Sequence, residues 1–445
     1  MVNYQSIIQE LEGIKVIQEA EQIKKLSLDY YYFSPILLEK LQDKRADLVV
    51  KPTSEEEVLK IARICVKHQI PLTIRGAGTG NYGQSIPLNG GIVLDTSDMN
   101  KIHWIKSGIA CVQPGIKMSI LEKETKKQGW ELRMIPSTYK TATLGGFIGG
   151  GSGGIGSINY GQLRDRGNLN RVRVVTLEAE PRVIELKGDE TNQVNHAYGT
   201  NGIITEIEIP LAVCHDWVDV IVIFDEFMQG AKFGQALCDS DGIVKKLVCI
   251  QANPIPSYFT ALQAYLPEGC NCALLTISKN SLLGLEELVK ECQGKITYQQ
   301  DLATIGSSNL IEFTWNHTTL HARNFENFTY LQTFFFTIAK VEQMYKHFGD
   351  EVLMHLEFLR VGGKAIPAGL QLVKYSTEAR LNEIIKYHED HGAMIANPHT
   401  YILEDGGRKK VEPEQLKFKE MVDPFGLMNQ GKMRAWEEKI ARHLH

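Results

Sequence analysis

Two glycine-rich runs, far apart in the chain, constrain this sequence more than any other feature. The first is Arg75-Gly76-Ala77-Gly78-Thr79-Gly80-Asn81-Tyr82-Gly83-Gln84, and the second spans Thr143 to Gly156, with eight glycines in the last twelve residues. Glycine loses more backbone freedom on folding than any other residue, so such density needs a reason. Close access of a ligand to successive backbone N–H groups is one, because those groups form a nest for anions, phosphate above all. Two such loops suit a ligand with a pyrophosphate better than a mononucleotide. Tight turns alone would explain the first run, but turns rarely need eight glycines in twelve residues.

The surrounding pattern places the first run. Leu48 to Lys51 reads as a strand stopped by Pro52, and Thr53-Ser54 before Glu56-Glu57 has capping-box spacing for a helix through His68. Ile70 to Ile74 reads as a second strand running into the loop. This β-α-β unit puts the glycines at a strand's carboxyl end, where open α/β sheets bind ligands. Gly78-Thr79-Gly80-Asn81-Tyr82-Gly83 fits G-x-G-x-x-G, but Ser85-Ile86-Pro87 follows where a dinucleotide fingerprint needs a helix. Neither run contains Gly-Lys-Ser/Thr, so a Walker loop is excluded too. Further strands are expected at 90–95, 109–115, 171–177, 183–186 and 202–209, with a helix over 116–128. The opening segment, with Ile7, Ile8, Leu11, Ile14 and Ile17, reads as helix.

After about Pro210 glycine thins out, and strands at 218–224, 246–250 and 273–277 alternate with helices at 227–238, 281–292 and 374–391. The expected fold class is α+β, with domains at 1–212, 213–419 and a tail over 420–445 that returns to the first. A net charge of −5 gives no electrostatic case for nucleic acid. No apolar run spans a membrane, and the N-terminus lacks the pattern of a signal peptide, so a cytoplasmic location is expected. The eight cysteines are irregularly spaced and read as reduced structural thiols. His388-x-x-His391 reads as a solvated helix face, and no metal-ligand set is expected.

Five segments in order carry a family resemblance. They are Val49-Val50-Lys51-Pro52 with Ser54 to Val58; Pro71 to Thr79; Pro136-Ser137-Thr138 with Ala142-Thr143-Leu144-Gly145-Gly146; Tyr198 to Glu206; and Asp423-Pro424-Phe425-Gly426-Leu427-Met428-Asn429-Gln430-Gly431-Lys432. The chain resembles flavoproteins of the vanillyl-alcohol oxidase and p-cresol methylhydroxylase superfamily, and its tail is similar to that of the glycolate oxidase and D-lactate dehydrogenase branch. The resemblance implies a two-subdomain FAD-binding domain followed by an α/β substrate (cap) domain, with the flavin ring at their junction. It implies FAD contacts from Arg75, Gly76, Ala77, Gly78, Thr79, Gly80 and Asn81 in the first loop. Pro136, Ser137, Thr138, Ala142, Thr143, Gly145, Gly146, Gly149, Ser152 and Gly153 would serve along the second, with Gly202, Ile203 and Ile204 near the adenine. Asn429 and Lys432 would complete the set from the tail. Backbone N–H groups of residues 76–80 and 143–146 would hold the pyrophosphate. Thr79 stands where some members attach the flavin to histidine, and Tyr139 or Lys140 where others use cysteine, so FAD is expected to be non-covalent. The histidine cluster with which that branch binds a divalent metal, and its G-E-H-G segment, are missing, and Gln430 replaces a proline.

Flavin accepts hydride, so the protein must supply a substrate clamp and a base. Trp315-Asn316-His317 is polar within an aromatic region. His355-Leu356-Glu357-Phe358-Leu359-Arg360 alternates like a strand, as does Asn397 to Glu404 with His399 and Tyr401 on one face. His317 or His399 would be the base, and Arg360 would pair with a carboxylate, Asn316 and Tyr401 assisting. The bland readings are satisfied histidines and an Arg360–Glu357 pair. The reading is an FAD-dependent oxidoreductase oxidising a small polar or anionic substrate, a 2-hydroxy acid or other CH–OH donor, with dioxygen, a quinone or a redox protein as electron acceptor. Peripheral membrane or redox-subunit contact and a homodimer stay open. The alternatives are an NADPH-dependent reductase and a non-catalytic flavin-bearing subunit of a redox complex.

Overall fold

The computed structural model describes residues 3–302, 310–408 and 411–443. The chain divides into two compact units, Met1–Ser152 with Leu163–Val213 and Pro398–His445, and Gly153–Gln162 with Cys214–Asn397. The domain limits expected at 212 and 420 thus fall at 213 and 398, and residues 153–162 group with the second unit.

The first unit holds two sheets. One is β1 (Lys15–Ile17), β2 (Leu48–Lys51), β3 (Leu72–Arg75) and β4 (Ile92–Asp95), in the order β1-β2-β4-β3. β4 runs parallel to both β2 and β3. The helix Glu55–His68 joins β2 to β3, with Ser54 Oγ accepting from the Glu57 N–H at its start. Its buried Val58, Ile61, Ala62 and Cys65 pack on Val50, Leu72 and Leu94. The opening helix is shorter than its periodicity suggests. It spans Tyr4–Glu10 and ends before Gly13, whose φ of 89° breaks it, so that Lys15–Ile17 pairs antiparallel with β2.

The second sheet is antiparallel: β5 (Ile102–Lys106), β6 (Ile109–Val112), β7 (Trp130–Leu132), β8 (Arg171–Val175), β9 (Val183–Lys187) and β10 (Ile203–Val213). β8 and β9 form the expected hairpin. Glu55 ties the two sheets together, because Arg173 donates to its carboxylate at 2.6 and 3.1 Å and Thr205 Oγ1 at 2.6 Å. The tail returns to the outer edge of β3. Leu72 N–H donates to Leu427 O and Asn429 N–H to Leu72 O, both at 2.8 Å. A segment more than 350 residues downstream therefore braces the strand that feeds the first glycine loop.

The second unit is built on one antiparallel sheet: β11 (Trp217–Phe224), β12 (Lys245–Gln251), β13 (Asn271–Ser278), β14 (Lys295–Asp301), β15 (Phe328–Phe334), β16 (Val352–Leu353), β17 (His355–Val361), β18 (Lys364–Lys374) and β19 (Met394–Ala396). Gly234, on the helix Phe227–Asp239, lies against Phe358 and Ile250 so closely that a Cβ would crowd both. Alternation then turns Cys249, Gln251, His355 and Glu357 to the opposite face. His388 departs from the solvated face read in the sequence. It is fully buried, with Nδ1 2.8 Å from Ile384 O and Nε2 3.1 Å from Gln371 Nε2. Burial lowers its pKa to about 4, so the ring is neutral, donating from Nδ1 and accepting at Nε2.

All eight cysteines are free thiols. Burial pushes Cys65 up to about 12, which leaves it an inert packing group. Among the described residues no helix is long and apolar enough to cross a membrane.

Candidate functional site

In the first unit the two glycine runs meet. A Cβ on Gly76 would overlap Thr143 Oγ1 and touch Gly146, so only glycine lets the runs approach. Gln84 Nε2 bridges from the first run to Gly150 O at 3.2 Å. Gly78 has a φ of 66°, and a Cβ there would overlap the guanidinium of Arg75. That guanidinium is buried and donates to the carbonyls of Leu28 and Ala77, so Arg75 shapes the loop from beneath.

The decisive feature is the state of the loop's donors. Among the described residues, the N–H groups of Gly76, Ala77, Gly78, Thr79 and Gly80 donate to no group of the chain, and all five residues are partly exposed. Successive uncommitted N–H donors in a glycine turn form an anion nest. The second run differs. Leu144 N–H donates to Ile116 O, Gly145 N–H to Pro114 O and Gly146 N–H to Thr143 Oγ1. Those three donors are engaged within the chain, and the run contributes close approach instead. Gly149 has no neighbour within 4 Å of where its Cβ would stand. Pro136, Ser137, Thr138 and Ala142 form the turn before it, held by Ala142 N–H to Thr138 O at 2.9 Å. Ser152 O accepts from Leu163 N–H, and a Cβ on Gly153 would crowd Ser157 Oγ. Gly202 (φ 97°) leads into Ile203 and Ile204 on β10, against Val174.

The tail braces this loop. Asn429 Nδ2 donates to Gln84 O at 2.8 Å and to Tyr198 O, and Lys432 Nζ donates to Gly83 O. Lys432 is fully buried, 5.5 Å over the Tyr401 ring. Burial lowers its pKa and raises that of buried Asp29, and each opposes the other's shift by its charge. His399 and Tyr401 do not sit on a strand as the alternation suggested, since residues 397–403 are irregular after β19 ends at Ala396. His399 is buried with Nδ1 2.8 Å from Ser34 Oγ. Ser34 Oγ already accepts from Leu37 N–H, so its own proton is available to Nδ1.

In the second unit, Asn316 and His317 open the helix Asn316–Ala322. His317 Nδ1 lies 3.2 Å from Glu312 Oε2, a histidine oriented by a carboxylate. The preceding Trp315 has a φ of 50°, a strained value for a side-chain-bearing residue, and its N–H donates to Glu357 Oε1 at 2.7 Å. Arg360 does not pair with Glu357. Its Nε donates to Ile158 O at 3.1 Å and one terminal nitrogen to Gly363 O at 2.8 Å. Glu357 instead meets His355 Nε2 at 2.9 Å. Cys249, His355 and Glu357 bring their ligating atoms within 4.8 Å of one another, a donor set the sequence pattern does not lead one to expect. Its signal is present as Cys-x-Gln and His-x-Glu on two strands, but the pairing of those strands is not written in either segment. Burial, then the Glu357 charge, raises the Cys249 thiol well above its ordinary range, so it is no free nucleophile.

Comparison with known proteins identifies one stretch of the chain. Residues 46–186 match the family described as FAD binding domain. This part of the chain is an FAD binding domain, and the cofactor is FAD. The chain is 30% identical over 177 residues to D-lactate dehydrogenase of Anaerostipes hadrus, covering 37% of this chain and 36% of that protein. It is 32% identical over 179 residues to glycolate oxidase subunit GlcD of Bacillus subtilis (strain 168), covering 37% of each. It is 32% identical over 168 residues to alkyldihydroxyacetonephosphate synthase of Dictyostelium discoideum, covering 36% of this chain and 28% of that one. The chain thus spans about a third of the length of the curated relatives it matches. The likeness in fold extends further. A solved alkyldihydroxyacetonephosphate synthase superposes with a TM-score of 0.74 at 17% identity, over 97% of this chain and 85% of that one. A Physcomitrella patens BBE-like 1 variant does so with a TM-score of 0.67 at 14% identity, over 96% and 98%. The FAD fits the residues of the first loop, where five free N–H donors and two glycines that tolerate no Cβ suit a pyrophosphate.

Proposed function

We propose that this protein is an FAD-dependent oxidoreductase that oxidises a CH–OH donor, a small polar or anionic molecule of the 2-hydroxy-acid class. The observation that carries the reading is the row of uncommitted N–H groups over residues 76–80, braced from the tail by Asn429 and Lys432. The relatives named D-lactate dehydrogenase and glycolate oxidase subunit GlcD support the substrate class. Bound FAD supplies the hydride acceptor. The chain must then hold the substrate and take its hydroxyl proton.

His317 is the base in this reading. Glu312 lies beside its Nδ1, so the charge the ring gains on taking the substrate's proton sits next to a carboxylate. Arg360 keeps three of its five N–H donors beyond its bonds to Ile158 and Gly363, enough for a substrate carboxylate. Asn316 Oδ1 is buried without a partner and is an acceptor for a substrate hydroxyl. FAD is held non-covalently, since Thr79 offers no attachment chemistry.

The test is anaerobic bleaching of the flavin by a panel of 2-hydroxy acids, alcohols and amines. His317→Ala should retain FAD and slow reduction by about 10²–10⁴-fold, the range for loss of a general base. A wild-type reduction rate in that variant, together with a collapse in His399→Ala, would move the role to His399.

A further inference from the structure

One face of the second unit's sheet carries a group of side chains to which the reading above gives no role. β12 and β17 pair antiparallel with Cys249 opposite Glu357 and Gln251 opposite His355. Residues two apart on a strand share a face, so these four side chains form a square across two neighbouring strands. Cys249, Gln251 and His355 are completely buried and Glu357 is 1% exposed.

Glu357 Oε1, which accepts from Trp315 N–H at 2.7 Å, is also the partner of His355. His355 Nδ1 is 3.1 Å from Leu370 O and Nε2 is 2.9 Å from Glu357 Oε1, so both ring nitrogens face acceptors. A neutral ring has only one N–H, so the second contact holds a further proton, on Nε2 or on the Glu357 carboxyl. The Leu370 carbonyl holds the proton on Nδ1, which is how metal-ligating histidines are commonly fixed by their outer partners. Gln251 Nε2 is placed by Phe313 O at 3.0 Å, Thr318 Oγ1 at 3.1 Å and Cys249 Sγ at 3.3 Å, while its fully buried Oε1 has no partner. Cys249 Sγ, a His355 ring nitrogen and a Glu357 carboxylate oxygen lie within 4.8 Å of one another, a donor set of mixed sulfur, nitrogen and oxygen closed off from water.

We propose that Cys249, His355 and Glu357 bind one divalent transition-metal ion of the zinc class. Sulfur, nitrogen and oxygen donors in a tetrahedral set are zinc's usual environment. Binding replaces the thiol proton and the proton shared by His355 and Glu357 with one dication, and thiolate plus carboxylate neutralise it where water does not reach. Tetrahedral zinc spaces its donors roughly 3.3–3.8 Å apart, so on binding His355 Nε2 and Glu357 Oε1, now 2.9 Å apart, must open slightly, while the wider pairs, all within 4.8 Å, draw in. The site uses a Cys–His–Glu set, not a histidine cluster, and is independent of the substrate reading above.

The experiment is metal analysis of the FAD-loaded full chain grown with added zinc, followed by chelation and titration with Co²⁺. The expected results are about one equivalent of zinc per chain and a cobalt–thiolate charge-transfer band on titration. The band should disappear in Cys249→Ser and persist in Cys292→Ser, whose thiol lies elsewhere. Zinc-edge absorption of the wild-type protein should show one sulfur at about 2.3 Å among nitrogen and oxygen neighbours, which needs no variant to fold. Absence of both zinc and the cobalt band, a band that survives Cys249→Ser, or a zinc shell without sulfur would each overturn the proposal.

Discussion

Gly78→Val is expected to abolish FAD retention. Gly78 sits at φ 66°, where a β-branched residue is a genuine outlier. Left-handed backbone alone costs an ordinary residue about 1–2 kcal/mol. The larger effect is steric. The new Cβ would stand inside the guanidinium of Arg75, and Arg75 is buried with bonds to Leu28 O and Ala77 O. Either the arginine leaves those carbonyls or the loop opens. Both disperse the N–H groups of residues 76–80, and an anion nest works only while its donors converge. Flavin content per chain after gel filtration measures the effect, with circular dichroism confirming the fold. Stoichiometric FAD in the variant would remove the first loop from the pyrophosphate site.

The second large effect is expected from Lys432→Met. Lys432 is fully buried, donates to Gly83 O and shares its surroundings with buried Asp29. Removing the cation takes away the charge that most holds the buried Asp29 carboxyl down, and also the hydrogen bond to Gly83 O, so the variant is expected to lose stability. Methionine keeps much of the volume, so the loss is electrostatic and not a cavity. The pH dependence has a definite sign. Burial raises the Asp29 pKa, and the positive charge of Lys432 opposes that rise more strongly than any other neighbour. Without it the carboxyl rises further. A raised carboxyl gives stability that is present below its unfolded value, near 4, and lost as pH climbs through its folded value. The variant should therefore be most destabilised near neutral pH and recover part of the loss on acidification. Adding Asp29→Asn to Lys432→Met should recover stability at neutral pH. Urea unfolding across pH checks this. A variant as stable as wild type at neutral pH, with no gain on acidification, would contradict this account.

Much of the cofactor domain was legible in the sequence because its signals are local. Ser54 caps the helix Glu55–His68 as the spacing implies, and β3 runs into the glycine loop at Arg75. The opening helix stops short of its periodicity. Ile14 and Ile17 continue a helical period past Gly13, but strand pairing with β2 overrides it. Residues 397–403 alternate in polarity without forming a strand, because among the described residues no neighbouring strand pairs with them after Ala396. The engaged donors of Leu144, Gly145 and Gly146 were illegible too. Their partners, Ile116, Pro114 and Thr143, are set by packing of the preceding segment. The Cys249–His355 square needed the register of two strands roughly a hundred residues apart, which no local pattern encodes.

Arg360 shows the limit from the other side. Its strand and its separation from the face of Glu357 follow from alternation alone. Its bond to Ile158 O depends on residues 153–162 joining the second unit, and their glycine-rich sequence carries no hint of that.

The most direct measurement is the visible absorption spectrum of the purified protein, repeated on the supernatant and pellet after acid precipitation. The expected result is a flavin spectrum that moves entirely to the supernatant, as a cofactor held by backbone N–H groups without a covalent bond requires. Colour retained in the pellet would contradict non-covalent binding, and a colourless protein that takes up no added FAD would contradict FAD binding itself.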